Sequence, residues 1–354
     1  MQKIITGIQQ VGIGVTDANA AWKWYSTYFG MDVVIFNDAA PAPLMTRYTG
    51  GTVHERYAVL ALNMQSGGGF EIWEYKSRKA QPSAFEIQLG DTGIQIIRIK
   101  SRDVQATYDW YKKENLNLIS GVIKGPDHKP TFYMKDPYGN TFQIVESRYW
   151  YMNTGALTGG IEGVVVAVSN LHNSMNFYTN LIQVKNMVYD VTGTWEEWGG
   201  LPGGKGNFRR ILMRQDDERR GAFSKLVGPC SVELIQAMDY TPKKIFENRY
   251  WGDQGYIHLC FDVVGMSLLR DECNTLGYPF TIDSADSFDM GDAAGHFAYN
   301  EDPDGTLIEY VEAHRVPILK KLGWYFNLKK RDATQPLPDW MVRALRFNRK
   351  KELK

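Results

Sequence analysis

Four times along the chain, a short apolar run with period-two alternation gives way to a stretch with helical spacing and then to further strand-like runs. In the first copy, residues 8–15 (IQQVGIGV) read as a strand. Asp17 then stands as the cap of a helix carrying Trp22, Tyr25 and Phe29 on one face, with Gly30 as its stop. Residues 56–62 and 70–75 (FEIWEY) follow as strands. The second copy has a strand at 94–99, a helix capped by Asp103, and strands through FYMKDPYGNTFQIVES, turning at 136–139. After the link RYWYMNTGALTGG, the third copy reads IEGVVVAVSNLHNSMNFYTNL, FRRILMR and CSVELIQA. The fourth reads YIHLCFDVV, a helix over 266–276, and HFAYNEDPDGTLIEYVEA. The pattern predicts an α+β chain of four strand–helix–strand–strand–strand units. The first and third end in a plain strand, the second and fourth in a DPxG hairpin. That alternation divides the chain into a domain over 1–148, a second over 158–313 and an extension over 314–354.

The same alternation exposes residues that packing alone does not explain. In the strand at 306–311, Leu307, Glu309 and Val311 share a face, and a carboxylate between apolar neighbours is costly unless paired or bound to a cation. His258 stands in the same position between Ile257 and Leu259. When the units are laid over one another, Glu309 corresponds to Glu71, Gln143 and Glu233. His258 corresponds to Gln10, to Gly163 and to Ile96, or to Ile94 if the register slips. The candidate metal ligands are therefore Gln10, Glu71, His258 and Glu309, with Glu233 as the alternative. Oxygen donors with one imidazole suit a divalent ion of borderline hardness: Zn, Ni, Co, Mn or Fe(II). His296 and Tyr299 are candidate acid–base or substrate contacts, and Arg47, Arg56, Arg209 and Arg210 are candidate holders of an anionic group. Trp22, Trp73, Trp195, Trp198 and Tyr310 are candidate pocket walls. The run GGLPGGKG at 199–206 lacks the Ser or Thr of a phosphate loop and reads as a loop at a cavity mouth.

Composition narrows the classes. With 40 basic and 40 acidic residues the chain lacks the basic excess of a nucleic-acid binder. Three scattered cysteines suit buried thiols in a reducing compartment, and no apolar run reaches membrane-spanning length, so a soluble cytoplasmic protein with a small-molecule substrate is expected. The extension is basic, with Trp340, Val342, Leu345 and Phe347 among its lysines and arginines. It is expected to wrap its own chain or to meet a second copy in a homo-oligomer, an amphipathic membrane-binding helix being the other reading.

Repeated units with first strands such as QQVGIGVTD and hairpins such as DPDGTLIE resemble the vicinal-oxygen-chelate superfamily. It holds glyoxalase I, methylmalonyl-CoA epimerase, extradiol dioxygenases and bleomycin and fosfomycin resistance proteins. The resemblance covers about residues 5–313 and implies two curved eight-stranded half-barrels, each made by two units, with a divalent metal in the hollow. Pairing of units one and four would gather Gln10, Glu71, His258 and Glu309. Sequential pairing would instead offer Glu233, His258 and Glu309. The resemblance implies a lyase or isomerase of glyoxalase or epimerase type, with Glu309 and then Glu71 as the proton-abstracting base. The alternatives are an extradiol ring-cleavage dioxygenase, which needs a second histidine where Gly163 stands, and a metal-free binding protein of the resistance type.

Overall fold

The computed structural model describes residues 2–285, 288–289, 294–319, 323–328 and 331–350. The first unit comprises β1 (Ile4–Gly14), α1 (Ala18–Phe29), β2 (Val33–Pro41), β3 (Glu55–Leu62) and β4 (Gly69–Tyr75). The second comprises β5 (Gly93–Ser101), α2 (Val104–Lys113), the two-residue strands β6 (Asn117–Leu118) and β7 (Ile123–Lys124), β8 (Pro130–Lys135) and β9 (Thr141–Glu146). The third comprises β10 (Thr158–Ala167), α3 (Leu171–Asn180), β11 (Asn186–Gly193), β12 (Phe208–Arg214), the one-turn α4 (Ser224–Val227) and β13 (Ser231–Ala237). The fourth comprises β14 (Gly255–Val264), α5 (Met266–Thr275), β15 (Ile282–Asp283), β16 (Phe288–Asp289), β17 (Ala294–Glu301) and β18 (Leu307–Leu319). Two further elements follow, β19 (Trp324–Asn327) and α6 (Asp339–Ala344).

Local chemistry sets these boundaries. The carboxylate or amide oxygen of Asp17, Asp103 and Asn170 accepts from the backbone N–H three residues on, capping α1, α2 and α3 in one geometry. Gly30 ends α1 in the left-handed region at φ 63°. α5 has no such side chain at its start; Glu312 of β18 accepts from the N–H groups of Gly265 and Met266 instead. In each DPxG turn the aspartate accepts from two backbone N–H groups, of Tyr138 and Asn140 for Asp136 and of Asp304 and Thr306 for Asp302. The same carboxylates also accept from tyrosines on helices of the preceding units, Tyr25 for Asp136 and Tyr178 for Asp302. A duplicated joint thus ties unit one to unit two and unit three to unit four.

The sheets pair the units differently. Units one and four share one sheet, in the order β15–β17–β18–β14–β1–β4–β3–β2. Units two and three share the other, in the order β11–β12–β13–β10–β5–β9–β8–β6. The junctions are antiparallel, β1 on β14 and β5 on β10. The main core draws residues from both sheets and from the helices, among them Tyr25, Phe29, Phe70, Phe142, Phe177 and Phe261. The other face of each sheet carries its own smaller apolar cluster, around Trp73, Trp251 and Tyr299 in one and around Trp198 and Phe208 in the other. The result is an α+β fold with two curled sheets.

The strand that follows the DPDG turn does not stop at Ala313, where the composition changes, but runs to Leu319 because β19 pairs with it. Beyond it, the extension lies on its own chain. Leu337, Val342 and Leu345 are buried against Val33, Met64 and Leu226, and Arg349 pairs with Asp32. Its regular helix is only six residues, α6, so its apolar residues serve as scattered anchors and not as one amphipathic stripe. Among the described residues no helix is long and apolar enough to cross a membrane.

Candidate metal centre

β1 and β14 form the middle of the first sheet, with β4 and β18 outside them. In register, Gly12 lies beside both His258 and Glu71, and Cys260 lies beside Glu309. A register shift between Ile8 and Gln10 marks a bulge that turns both Gln9 and Gln10 toward the hollow. Four side chains from four strands therefore meet. The Gln10 amide nitrogen is 3.1 Å from Glu71 Oε2 and 3.4 Å from Glu309 Oε2. His258 Nε2 is 3.3 Å from Glu71 Oε2 and 3.1 Å from Glu309 Oε2. Ligand atoms of Glu71, His258 and Glu309 all lie within 4.8 Å of one another.

All four residues are buried; Gln10 Oε1 has no hydrogen-bond partner, and His258 Nε2 faces the two carboxylates without a well-aligned hydrogen bond to either. Such atoms cost free energy unless something binds them. An amide oxygen, an imidazole nitrogen and two carboxylates form a donor set for a divalent ion, and the residues present fit one. The Tyr299 hydroxyl is 3.4 Å from His258 Nδ1, and Trp251 stacks near-parallel over the imidazole. A Tyr299 oxygen accepting from Nδ1–H leaves Nε2 as the free donor nitrogen. Burial opposes charge on His258, but Glu309 and Glu71 outweigh it and raise the imidazole pKa to about 9. Burial, then Glu309 and Glu71, hold the Tyr299 phenol well above its usual range, so it stays neutral.

Gly12 makes room for this arrangement. A Cβ there would sit 2.4 Å from His258 Cε1 and 2.8 Å from Nε2. Gly12→Ala is expected to push the ring out of line, costing about 1–3 kcal/mol through overpacking. Metal content of the purified variant, read beside its thermal melt, checks the point: a folded protein with reduced uptake is the expected result.

The cluster opens into a cavity of about 430 Å³, walled by Phe36, Met45, Leu60, Trp73, Trp251 and Leu345, among others. Arg56 and Tyr299 line it, and the Arg56 guanidinium donates to the Asp38 carbonyl. His296 does not reach it. It stands three residues from Tyr299, so the alternation of β17 turns it to the opposite face, where Nε2 lies 2.6 Å from Asp283 Oδ1. Arg209 is in the other half of the molecule, half-buried and paired with Asp190 by two bonds. Arg210, on the opposite face of the same strand, is bonded to Glu233 and Glu197. Glu233 thus lies in the second sheet, held by Arg210 and away from His258. Arg47 lies outside this cavity, on a separate cleft.

Of the aromatic residues expected in the pocket, Trp73 lines it. Trp22 and Tyr310 are in the main core, while Trp195 and Trp198 belong to the second half. The loop 199–206 also packs on the second half, around buried Trp198 and Leu201, and is not at this cavity's mouth. Sequence reasoning missed Gln9, Trp251 and Asp262 as cavity residues. Asp262 had a signal, since it shares the alternating face of His258 in HLCFDVV.

Residues 7–144 match the model of the Glyoxalase/Bleomycin resistance protein/Dioxygenase superfamily. No curated protein matches the sequence. Among solved structures, glyoxalase I from Zea mays is similar at 14% identity with a TM-score of 0.55, over 88% of this chain and 92% of that one. A putative dioxygenase from Bacillus subtilis is similar at 12% identity with a TM-score of 0.56, over 87% of this chain and 85% of that one. At these identities the likeness to the two enzymes is one of fold. The family model falls on the first two units, and the last two repeat the same order of strands and helix.

Proposed function

We propose that the protein is a metal-dependent lyase or isomerase that moves a proton next to a carbonyl of a small substrate. Gln10, Glu71, His258 and Glu309 would hold the ion. When bound, the ion supplies Lewis acidity toward two adjacent substrate oxygens. The chain's own residues do the rest. Glu309 and Glu71 approach from β18 and β4 on opposite sides of the β1–β14 pair, so one carboxylate can take a proton from carbon while the other returns one. Tyr299 orients His258, and the apolar walls keep bulk water from competing for the proton.

The observation that carries this reading is the convergence of a buried imidazole nitrogen, two carboxylates and the unpartnered Gln10 Oε1 on one point from four strands. The cluster holds a single imidazole, which favours proton transfer over the ring-cleavage reading with its need for two. Elemental analysis tests it. The full chain is expected to bind about one equivalent of Zn, Ni, Co or Mn, and His258→Ala to bind none. Because the metal-free imidazole stays protonated up to about 9, uptake at neutral pH should also release a proton, visible as a buffer-dependent heat. A folded parent protein that takes up no ion would overturn the proposal and leave the metal-free binding role.

A further inference from the structure

The cavity walls are mostly apolar; away from the metal cluster they also carry Asp38, Arg56 and Arg315, and, on β14, Asp262. Asp262 lies four residues beyond His258 on β14, with Cys260 between them on the same face, while Leu259, Phe261 and Val263 turn into the main core. At about 3.3 Å per residue, the two positions are separated by about 13 Å along the strand. Asp262 is only 5% exposed, and no ion pair holds it among the described residues. Its neighbours are the Thr6 hydroxyl, which draws its pKa down, and the Glu312 carboxylate, which pushes it up. Burial is the larger influence and lifts the carboxyl to about 7. An acid kept in an apolar wall without a cation is costly unless a ligand uses it. Gln9 lines the same cavity, half-buried on the bulge of β1.

Resting on the proposed metal reading of the same site, we infer that Asp262 is a second substrate contact, which selects an elongated, largely apolar molecule with adjacent oxygens at one end and a hydroxyl near the other. The metal end fixes the reacting carbons. The apolar middle, from Phe36, Leu60, Trp73 and Trp251, accepts a hydrocarbon or aryl body. Asp262 exchanges hydrogen bonds with the distal hydroxyl. A short polar substrate would leave the apolar walls wet. Asp262 is a positioning and specificity residue on this account, remote from the reacting atoms.

The test uses hydroxamates, which chelate through two adjacent oxygens. Octanohydroxamate and 8-hydroxyoctanohydroxamate are titrated calorimetrically into metal-loaded full-length protein and into its Asp262→Asn and Asp262→Leu variants. The wild type is expected to bind the hydroxylated chain at least as tightly as the plain one. Asp262→Asn should keep that ratio within about threefold, and Asp262→Leu should shift it toward the plain chain by about tenfold or more. An unchanged ratio in Asp262→Leu overturns the inference, as does tighter binding of the 8-amino chain than of the 8-hydroxy chain. If neither hydroxamate binds the loaded wild type, the metal reading falls and this inference with it. Should Asp262→Leu not fold, infrared difference spectra of the wild type decide. A protonated carboxyl band, identified by its loss in Asp262→Asn, must shift with the hydroxylated probe and stay put with the plain one.

Discussion

Glu309→Gln is expected to leave the fold intact and to abolish proton exchange at carbon. The substitution keeps the shape and one oxygen donor on β18 while removing the basic site. The metal set would still contain Gln10, Glu71 and His258, so at high metal concentration the ion should remain. A convenient reporter is 2-hydroxyacetophenone in deuterated water, which has two adjacent oxygens, an aryl body suited to the cavity, and exchangeable hydrogens on the carbon between them. Loss of a positioned general base lowers such exchange by about 10²–10⁴-fold. The variant must be assayed with its metal content measured, so that loss of the base is separated from loss of the ion. Exchange by loaded Glu309→Gln at the parental rate would remove Glu309 from its role. An equal loss in Glu71→Gln would mean that both carboxylates are needed, one to take and one to give. The side chains leave that option open, since both carboxylates come within 3.3 Å of the same imidazole nitrogen.

Much of this site was legible in the sequence because it breaks the rule that a strand centre facing a hollow is apolar. Gln10, Glu71, His258 and Glu309 were found at matched repeat positions, and four strands bring them together. Glu233 was found by the same logic, for it holds the register position of Glu71: Leu60 lies opposite Glu71 and Leu212 opposite Glu233. What separates the two is a neighbour two residues back on the adjacent strand, Ala58 in unit one and Arg210 in unit three. A methyl group leaves the hollow open; a guanidinium fills it. That contrast was present in the sequence, but its meaning depended on which units share a sheet, a choice made by long-range contacts between residues more than 200 positions apart. His296 was misread for a local reason, since it and Tyr299 differ by an odd number of positions and cannot share a face of an extended strand. The extension is basic in composition, as the sequence shows, and its buried apolar residues pack on its own chain. Its lack of a long helix followed from the tertiary pull of separate anchors on the sheet edge.

The second hollow gives the largest expected loss of stability. Arg210 is 1% exposed, its Nε 2.7 Å from Glu233 and its NH1 2.6 Å from Glu197, with the guanidinium 3.6 Å above the Trp198 ring. Arg98 stands at 3.3 Å from Glu162 and 3.7 Å from Glu233, so the network carries two cations against three buried carboxylates. Arg210→Met removes the cation that both Glu197 and Glu233 depend on and keeps most of the hydrophobic stem. Leaving Glu197 without its cation and Glu233 with only the more distant Arg98 costs about 3–5 kcal/mol, and the variant should unfold at correspondingly lower denaturant concentration at neutral pH. The penalty comes from stranded charge, so it should shrink when the charge goes too. A triple variant, Arg210→Met with Glu233→Leu and Glu197→Gln, is expected to recover at least half of the lost stability. Equal losses in the single and triple variants would mean that the guanidinium matters through its stacking on Trp198 and not through its charge. Metal uptake at the first site should be unchanged in both, because Arg210 and His258 sit in different sheets, on faces turned away from the shared core. The duplicated fold would then have kept one hollow for chemistry and filled the other with an ion pair that stabilises the chain.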